Sequence, residues 1–508
     1  MAVNRIAVID IGSSSTTMQI YEISAKGGIV LIDRVRQRSA LGKDTYTDRT
    51  IRYERIEEIC RVLNEYQKMT KEYNVQETIL VATSALREAK NRALIVDQIQ
   101  LHTGLKVQIY SNSEQRYICY KAVASKEIAF NNLMEKGAAV VDVSAGSVQI
   151  SLFDKKLIST QNMKIGTMRI QEIIGNAVED TDLKHIIGEF IDRDLQGYER
   201  MLLKDREIRN LIVVSSGMDR VVRKYCKGQD SLTAEQFTQL YEELTRMSVA
   251  QLADAFEQSK ATATMIMTNL LVYKKVMDCF GAETMWLPKV NLCDGVAADY
   301  ADKKGIVKLG HDFTEDILSS ARYLSKRYKG NKNDAAMLEN IVGNIFDATR
   351  SLHGLGGRER MLLQIAAILQ DCGRFINLSA PGECSYNIIL STEIIGLSHN
   401  ERQMIAYIVK FNTDPVISYE ELTGNLTEQH YLLITKLTAM LRLGTALLPA
   451  MSRKLKGMKA EMKKNQLQIT AETMEDMTLE RILFQRKAEY FEQVFGICPV
   501  IRQKKGGN

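Results

Sequence analysis

Apolar and polar positions follow two rhythms along this chain, and the switch between them marks its parts. From residue 1 to about 125, short apolar runs rich in β-branched residues (RIAVIDI, MQIYEI, TILVATSA, KVQIYS) alternate with stretches of helical period such as YERIEEICRVLNEYQKMTKEY. A second mixed zone starts at GAAVVDVSAGSVQISLFD, passes through NLIVVSSG and ends near VNLCDGVAADYADKK at about residue 304. From about 310 to 445 the period is helical almost throughout (ILSSARYLSKRY, MLENIVGNIFDATRSL, RMLLQIAAILQDCGRFI, NERQMIAYIVKFN). The remainder returns to mixed character with NQLQITA and a basic tail. The pattern predicts an α/β protein with α/β domains over 1–125 and 126–305, a helical domain over 306–445 and a small C-terminal α+β unit over 446–508.

Composition narrows this only a little. A chain of 508 residues exceeds what one core holds, since cores stop growing near about 250–300 residues. Its 45% apolar and 25% charged residues are ordinary for a globular protein, and a net charge of +5 gives no case for nucleic acid as a specific partner. No run of about 18 apolar residues stands out. The start MAVNRIAVID enters a strand without a basic-then-apolar leader, so a cytoplasmic protein with no membrane partner is expected. Eight cysteines without a CxxC pair read as reduced, buried thiols and not as a disulfide or zinc framework.

The candidate chemistry lies in a repeated motif. VIDIGSSSTTMQI and VVDVSAGSVQISL share one plan: apolar strand, Asp, a turn of small residues with Gly and Ser, then a second strand. Small residues at such a tip let backbone N–H groups approach an anion, which makes Gly12, Ser13, Ser14, Ser15, Gly146 and Ser147 candidate phosphate ligands. Asp10 and Asp142 are placed to hold a hydrated divalent cation, Mg²⁺, between the two tips. Taken singly, either motif could be an unrelated β-hairpin. A duplicated acid-then-turn hairpin in consecutive α/β domains is the plan of the actin-like ATPase (ribonuclease-H-like) fold.

At this point the sequence resembles the exopolyphosphatase and guanosine pentaphosphate phosphatase (Ppx/GppA) family. The first hairpin is similar to its DIGSNS motif, with Ser14 in place of Asn, and VATSALREAKN (81 to 91) matches its ATSALREAxN segment almost letter for letter. IGTMRIQE, VVSSGMDRVV, LCDGVAADY, AAILQDCG with CSYNIILSTEIIGLSHNERQMIA, and YFEQVFGICPVI resemble later family segments, so the likeness runs nearly the length of the chain. It implies hydrolysis of a terminal phosphoanhydride in inorganic polyphosphate or guanosine pentaphosphate, a helical HD-type domain, and a homodimer.

The chain departs from the family where acids are needed. The family's SGxEEAR segment reads SNSEQRY here, which puts Gln115 at the catalytic Glu with Glu114 one residue before it; its DIGGGSTE loop reads DVSAGSVQ, ending in Gln149. A carboxamide orients a water but cannot take its proton, a loss commonly worth 10²–10⁴-fold in rate. Side chains at Ser144 and Ala145 also restrict positive φ and crowd a phosphate. Glu114 could replace the lost base through a small rotation of its helix, or be a solvated carboxylate. Arg87 could contact phosphate or pair with Glu88 or another helix carboxylate. The HD metal positions fall on Asp334, Gln370 with Asp371, Gly382 and Cys384, too few ligands for a metal.

Two further features have plain readings. His353 precedes glycines and reads as a helix-end cap. Arg453, Lys454, Lys456, Lys459, Lys463 and Lys464 read as one lysine-rich helix, either a solvated face or a rail for polyphosphate. Three functions follow: a phosphoanhydride hydrolase working through Glu114, a non-catalytic sensor of polyphosphate or a guanosine alarmone, and an assembly subunit with a vestigial cleft.

Overall fold

The computed structural model describes residues 3–174, 180–203, 206–214, 216–226, 229–422, 426–453, 457–463 and 466–504. The chain forms two compact units that meet at residues 312 and 313.

The first unit contains two sheets. In one, β1 (Asn4–Ile11), β2 (Ser15–Ser24), β3 (Gly28–Arg38), β4 (Glu77–Ala82) and β5 (Val107–Ile109) lie in the order β3-β2-β1-β4-β5. The first three form an antiparallel meander, and β4 and β5 add in parallel. β1 is covered on both faces, with Ile6, Ala7, Val8 and Ile9 all fully buried, which is why it reads as an unbroken apolar run. The other sheet holds β6 (Ala138–Val143), β7 (Val148–Asp154), β8 (Lys156–Met163), β9 (Asn210–Val214), β10 (Ser231–Thr233) and β11 (Thr284–Trp286), in the order β10-β11-β9-β6-β7-β8. Its meander β6-β7-β8 and parallel partners β9 and β11 reproduce the first sheet strand for strand. The repeat visible in two short motifs is therefore a repeat of whole lobes.

One face of the first sheet is covered by helix Tyr53–Glu72, whose Ile56, Ile59, Leu63 and Tyr66 recur at helical spacing and join Ile9, Ile11, Met18 and Ile20 in one core. The other face is closed by helix Leu292–Lys303, which packs Leu292, Cys293, Val296, Ala297 and Ala301 against Ile6, Val8, Tyr21 and Ile23. The chain thus returns to its first lobe near residue 292, and the division at 125/126 read from sequence does not separate the lobes in space. Gly295 makes the return possible: a Cβ there would lie 2.1 Å from the Ile118 carbonyl oxygen of helix Asn112–Ala124.

The second unit is helical, with Phe313–Arg327, Lys332–Ala348, Gly357–Leu369, Pro381–Ser391, His399–Thr413 and Glu428–Arg453. It ends in β12 (Gly457–Lys463), β13 (Gln466–Glu472), helix Thr478–Phe495 and β14 (Cys498–Lys504), which form a sheet ordered β12-β13-β14. The segment Glu428–Leu448, though interrupted by charged residues, is long and apolar enough to cross a membrane by length and composition. Ile434, Leu437, Met440 and Leu441 are fully buried, as in a core helix. The predicted lysine-rich helix is also corrected. Lys459 and Lys463 lie on β12, flanking Glu461 on the same strand face at 3.2 and 2.5 Å. Arg453 ends the preceding helix, and Lys454, Lys456 and Lys464 fall outside the described residues.

Candidate phosphate cleft

Both hairpins turn in the same way. The Gly12 N–H donates to the Ser15 carbonyl and the Ser144 N–H to the Ser147 carbonyl, each at 3.0 Å. Ser144 tightens its turn further, its hydroxyl donating to the Ser147 carbonyl at 2.9 Å. Asp10 stands opposite Thr17 and Asp142 opposite Gln149, so each acid sits two residues before its turn. Neither turn uses a left-handed backbone: Gly12, Ser144, Ala145 and Gly146 all lie outside positive φ. The strain expected at Ser144 and Ala145 is therefore absent. What demands glycine at 146 is space, because a Cβ there would lie 2.4 Å from the Tyr46 hydroxyl oxygen and 2.9 Å from Ser84 Oγ.

The two acids line one cavity, near enough for the charge of Asp142 to act on Asp10. Burial pushes the Asp10 carboxyl up to about 7, with Asp142 adding to the rise and Arg36 opposing it. Asp142 is likewise raised to about 7 by burial, against a hydrogen bond from the Cys119 thiol and the charge of Arg116. Asp10 Oδ1 is buried and has no hydrogen-bond partner. Two crowded carboxylates with an orphaned oxygen fit a divalent cation. Among the described residues no group of three or more His, Cys, Asp or Glu is arranged to hold a metal ion directly, so a cation here would keep much of its water, as Mg²⁺ does.

The other predicted residues divide into groups. Gly12, Ser13, Ser14, Ser15 and Gln115 line a cavity of about 230 Å³ with Asp10 and Asp142. Ser13 Oγ bonds to the Tyr46 hydroxyl at 2.8 Å and Ser84 Oγ at 3.0 Å, and Ser15 Oγ accepts from Arg36 at 2.8 Å. Gln115 accepts from Arg87 at 3.3 Å, and the same Arg87 nitrogen donates to the Tyr110 carbonyl at 2.7 Å. Glu88 pairs with Arg169. Gln149 is 1% exposed and neither atom of its amide has a partner; Ser147 Oγ is also buried without one. Glu114 closes a capping box, its carboxylate accepting from the Ser111 N–H at 2.9 Å. That holds it at the helix start, and it is not among the residues that line the acid cavity.

Sequence reasoning missed the basic wall. Arg34 and Arg36 also line the acid cavity, and Arg36, Arg38 and Arg220 line an adjoining one of about 450 Å³ with Ser14, Gln171 and Asn269. The signal was available as Asp33-Arg-Val-Arg-Gln-Arg38, where alternation puts all three arginines on one face of β3. Two thiols were missed as well, since Cys119 and Cys293 border the acids. Burial pushes both well above the ordinary thiol range. All eight cysteines are free.

In the second unit the HD positions hold no metal-ligand group. Asp371 pairs with Arg374 at 2.6 Å, and Gly382 sits where a Cβ would meet Asp414 at 2.5 Å. Gln370, Cys384 and Asp334 belong to no cluster of ligands among the described residues. His353 caps a helix end, donating to the Phe346 carbonyl and accepting from the Leu355 N–H, both at 2.9 Å.

Comparison with known proteins agrees with this architecture. The Ppx/GppA phosphatase family model matches residues 19–304, and the model of Ppx/GppA phosphatase domain III matches residues 318–487. Over 173 residues the chain is 26% identical to a bifunctional 3-dehydroquinate synthase/phosphatase of Fusobacterium nucleatum, covering 33% of this chain but only 26% of that relative. It is 21% identical over 452 residues to a guanosine-5'-triphosphate,3'-diphosphate pyrophosphatase of Photobacterium profundum, covering 86% and 84% of the two. The crystal structure of an exopolyphosphatase from Cytophaga hutchinsonii superposes with a TM-score of 0.52 at 19% identity, over 60% of this chain and 99% of that one. The paired lobes are of the actin-like ATPase type. With one family model spanning more than half of its length and a second covering most of the helical unit, the chain belongs to the Ppx/GppA phosphatase family.

Proposed function

We propose that this protein binds inorganic polyphosphate or guanosine pentaphosphate in the cleft of its first unit, together with hydrated Mg²⁺, and that its phosphoanhydride hydrolysis is weak or lost. The observation that carries the reading is the pair of buried carboxamides: Gln115 lines the cavity with Asp10 and Asp142, and Gln149 stands opposite Asp142 on the neighbouring strand. The turn N–H groups and Arg36, Arg38 and Arg220 suit the oxygens of a phosphate chain, and guanidinium forks favour such anions. Asp10 and Asp142 hold the water shell of the cation, whose charge neutralises the phosphates. Gln115 and Gln149 orient a water without accepting its proton.

The activities named for the relatives, a guanosine-5'-triphosphate,3'-diphosphate pyrophosphatase and an exopolyphosphatase, support this substrate class. A non-catalytic sensor or assembly subunit is the second reading, favoured by the capped position of Glu114. Free cysteines accord with a cytoplasmic site of action, and a homodimer completes the proposal. Phosphate release from the purified protein with Mg²⁺, using long-chain polyphosphate and guanosine pentaphosphate in parallel, tests it. Turnover above about 1 s⁻¹, within the ordinary enzyme range, overturns lost hydrolysis. Absent turnover with ligand-dependent thermal stabilisation supports it, and neither turnover nor stabilisation defeats the cleft reading.

A further inference from the structure

One side chain ties the two turns together without belonging to either. Arg169, in helix Thr167–Ile174 of the second lobe, donates from Nε to the Gly146 carbonyl at 2.9 Å. Its Nη2 reaches both carboxylate oxygens of Glu88 in the first lobe, at 2.8 and 2.6 Å. Its guanidinium also lies 4.7 Å above the ring of Tyr46, again in the first lobe. The Tyr46 hydroxyl in turn meets Ser13 Oγ at 2.8 Å and Ser84 Oγ at 3.0 Å. A single planar group therefore grips the second turn through one nitrogen and the first lobe through another and through its face, and it reaches the first turn by way of Tyr46.

The surroundings are built for that contact. The Arg169 and Glu88 side chains are 18% and 34% exposed, so their charges are partly withdrawn from water, where a charge-assisted bond is stronger than a free surface pair. Backbones meet at the same point. A Cβ on Gly166 would lie 2.2 Å from the Gly146 carbonyl carbon, and one on Gly146 would strike Tyr46 and Ser84. The Met168 and Arg169 N–H groups both donate to the Ala145 carbonyl, at 2.9 and 3.2 Å, so the helix that carries Arg169 is itself clamped to the second turn. Separating the lobes would pull Arg169 off Glu88 and Tyr46 while leaving it attached to Gly146.

We propose that Arg169 is a positioning residue which, with Glu88 and Tyr46, latches the lobes at the spacing where both turns face one phosphate chain. The proposal rests on the cleft reading above, but the latch is measurable without any ligand. The experiment uses the full-length protein and its Arg169→Lys, Glu88→Gln and doubly substituted variants. Hydrogen exchange reports on residues 42–46 and 144–147, and calorimetry reports on inorganic tripolyphosphate with Mg²⁺. Lysine keeps the charge but loses the planar face and the separate Nε bond to Gly146. Each single variant should speed exchange in both segments and weaken tripolyphosphate by roughly tenfold, as befits loss of a charge-assisted bond. Exchange in β1 and β6 should stay unchanged and the unfolding midpoint should fall only slightly, whereas a merely stabilising contact would speed exchange through both sheets. The double variant should be no worse than the worse single one, because both remove the same link. Unchanged exchange at the turns, or fully additive effects, overturns the latch. Faster exchange in the variants of a protein that never binds tripolyphosphate upholds the latch and defeats the cleft reading.

Discussion

Replacing Asp10 by Asn separates the two demands that the cleft floor makes on the fold. In metal-free protein the Asp10 carboxyl is held at about 7 against its ordinary 3.8, chiefly by burial and then by Asp142. The folded state keeps a proton that the unfolded chain gives up near pH 4. Stability is therefore full below that pH and is lost as pH rises towards about 7. A shift of about three units corresponds to roughly 4 kcal/mol, and since water reaches Asp10 from the open cleft we take about half of that, ~2 kcal/mol. Asp10→Asn abolishes the ionisation. In EDTA near pH 8 the variant should be more stable than wild type by about 2 kcal/mol, while near pH 4 the two should agree within about 0.5 kcal/mol. Added Mg²⁺ should reverse the order, because the cation binds the ionised pair and finds only one acid in the variant. Trp286, the only tryptophan, lies on β11 in the first unit and reports its denaturant unfolding directly. A variant less stable than wild type near pH 8 in EDTA, or an equal response of both proteins to Mg²⁺, would refute the paired-acid account.

Four further outcomes are expected. Gln115→Glu with Gln149→Glu should raise phosphate release from polyphosphate or guanosine pentaphosphate at least about tenfold, the low side of general-base assistance; a folded, ligand-binding but inactive double variant shows that these positions are not the catalytic ones. Gly146→Ala should cost about 2 kcal/mol in denaturant unfolding, and Tyr46→Phe in that background should restore about half, since the clash is with the hydroxyl; no recovery places the strain elsewhere. Alkylation followed by mass spectrometry should label the partly exposed Cys226, Cys384 and Cys498 well before Cys119 and Cys293, and early loss of either cleft thiol contradicts its burial. Elemental analysis of protein purified without chelator should find no stoichiometric iron or manganese, and about one per chain that survives Asp10→Asn but is lost in Asp371→Asn would show that Asp371 and its neighbours do hold a metal.

The hairpins were legible because a buried strand, an acid and a small-residue turn leave little room for another reading, and the second copy doubled the signal. What escaped depends on pairings that no local pattern announces. Arg169 meets Glu88 from 81 positions away, and Tyr46 meets Ser13 and Ser84 from opposite directions along the chain. The arginines of β3 sit on a strand whose exposed face looks like any solvated edge until a second lobe stands opposite it. Glu114 is the contrary case: Ser111 followed three residues later by Glu is a capping box in the sequence itself, a role that neither of its two readings, replacement base or solvated carboxylate, included. The lysines near 459 misled through composition, since lysine favours helices while the alternation of Lys459, Glu461 and Lys463 has the period of a strand.

The return of helix Leu292–Lys303 to the first sheet has a consequence for biosynthesis. When the first lobe's five strands have all left the ribosome, the face formed by Ile6, Val8, Tyr21 and Ile23 still lacks its cover, and it stays bare until the whole second lobe has been made. An early-finished sheet with an open apolar face is a natural client for chaperones and a hazard for aggregation. Fragments ending before residue 292 would carry that exposed face permanently, so the shortest stretch able to fold as the first lobe also contains the second.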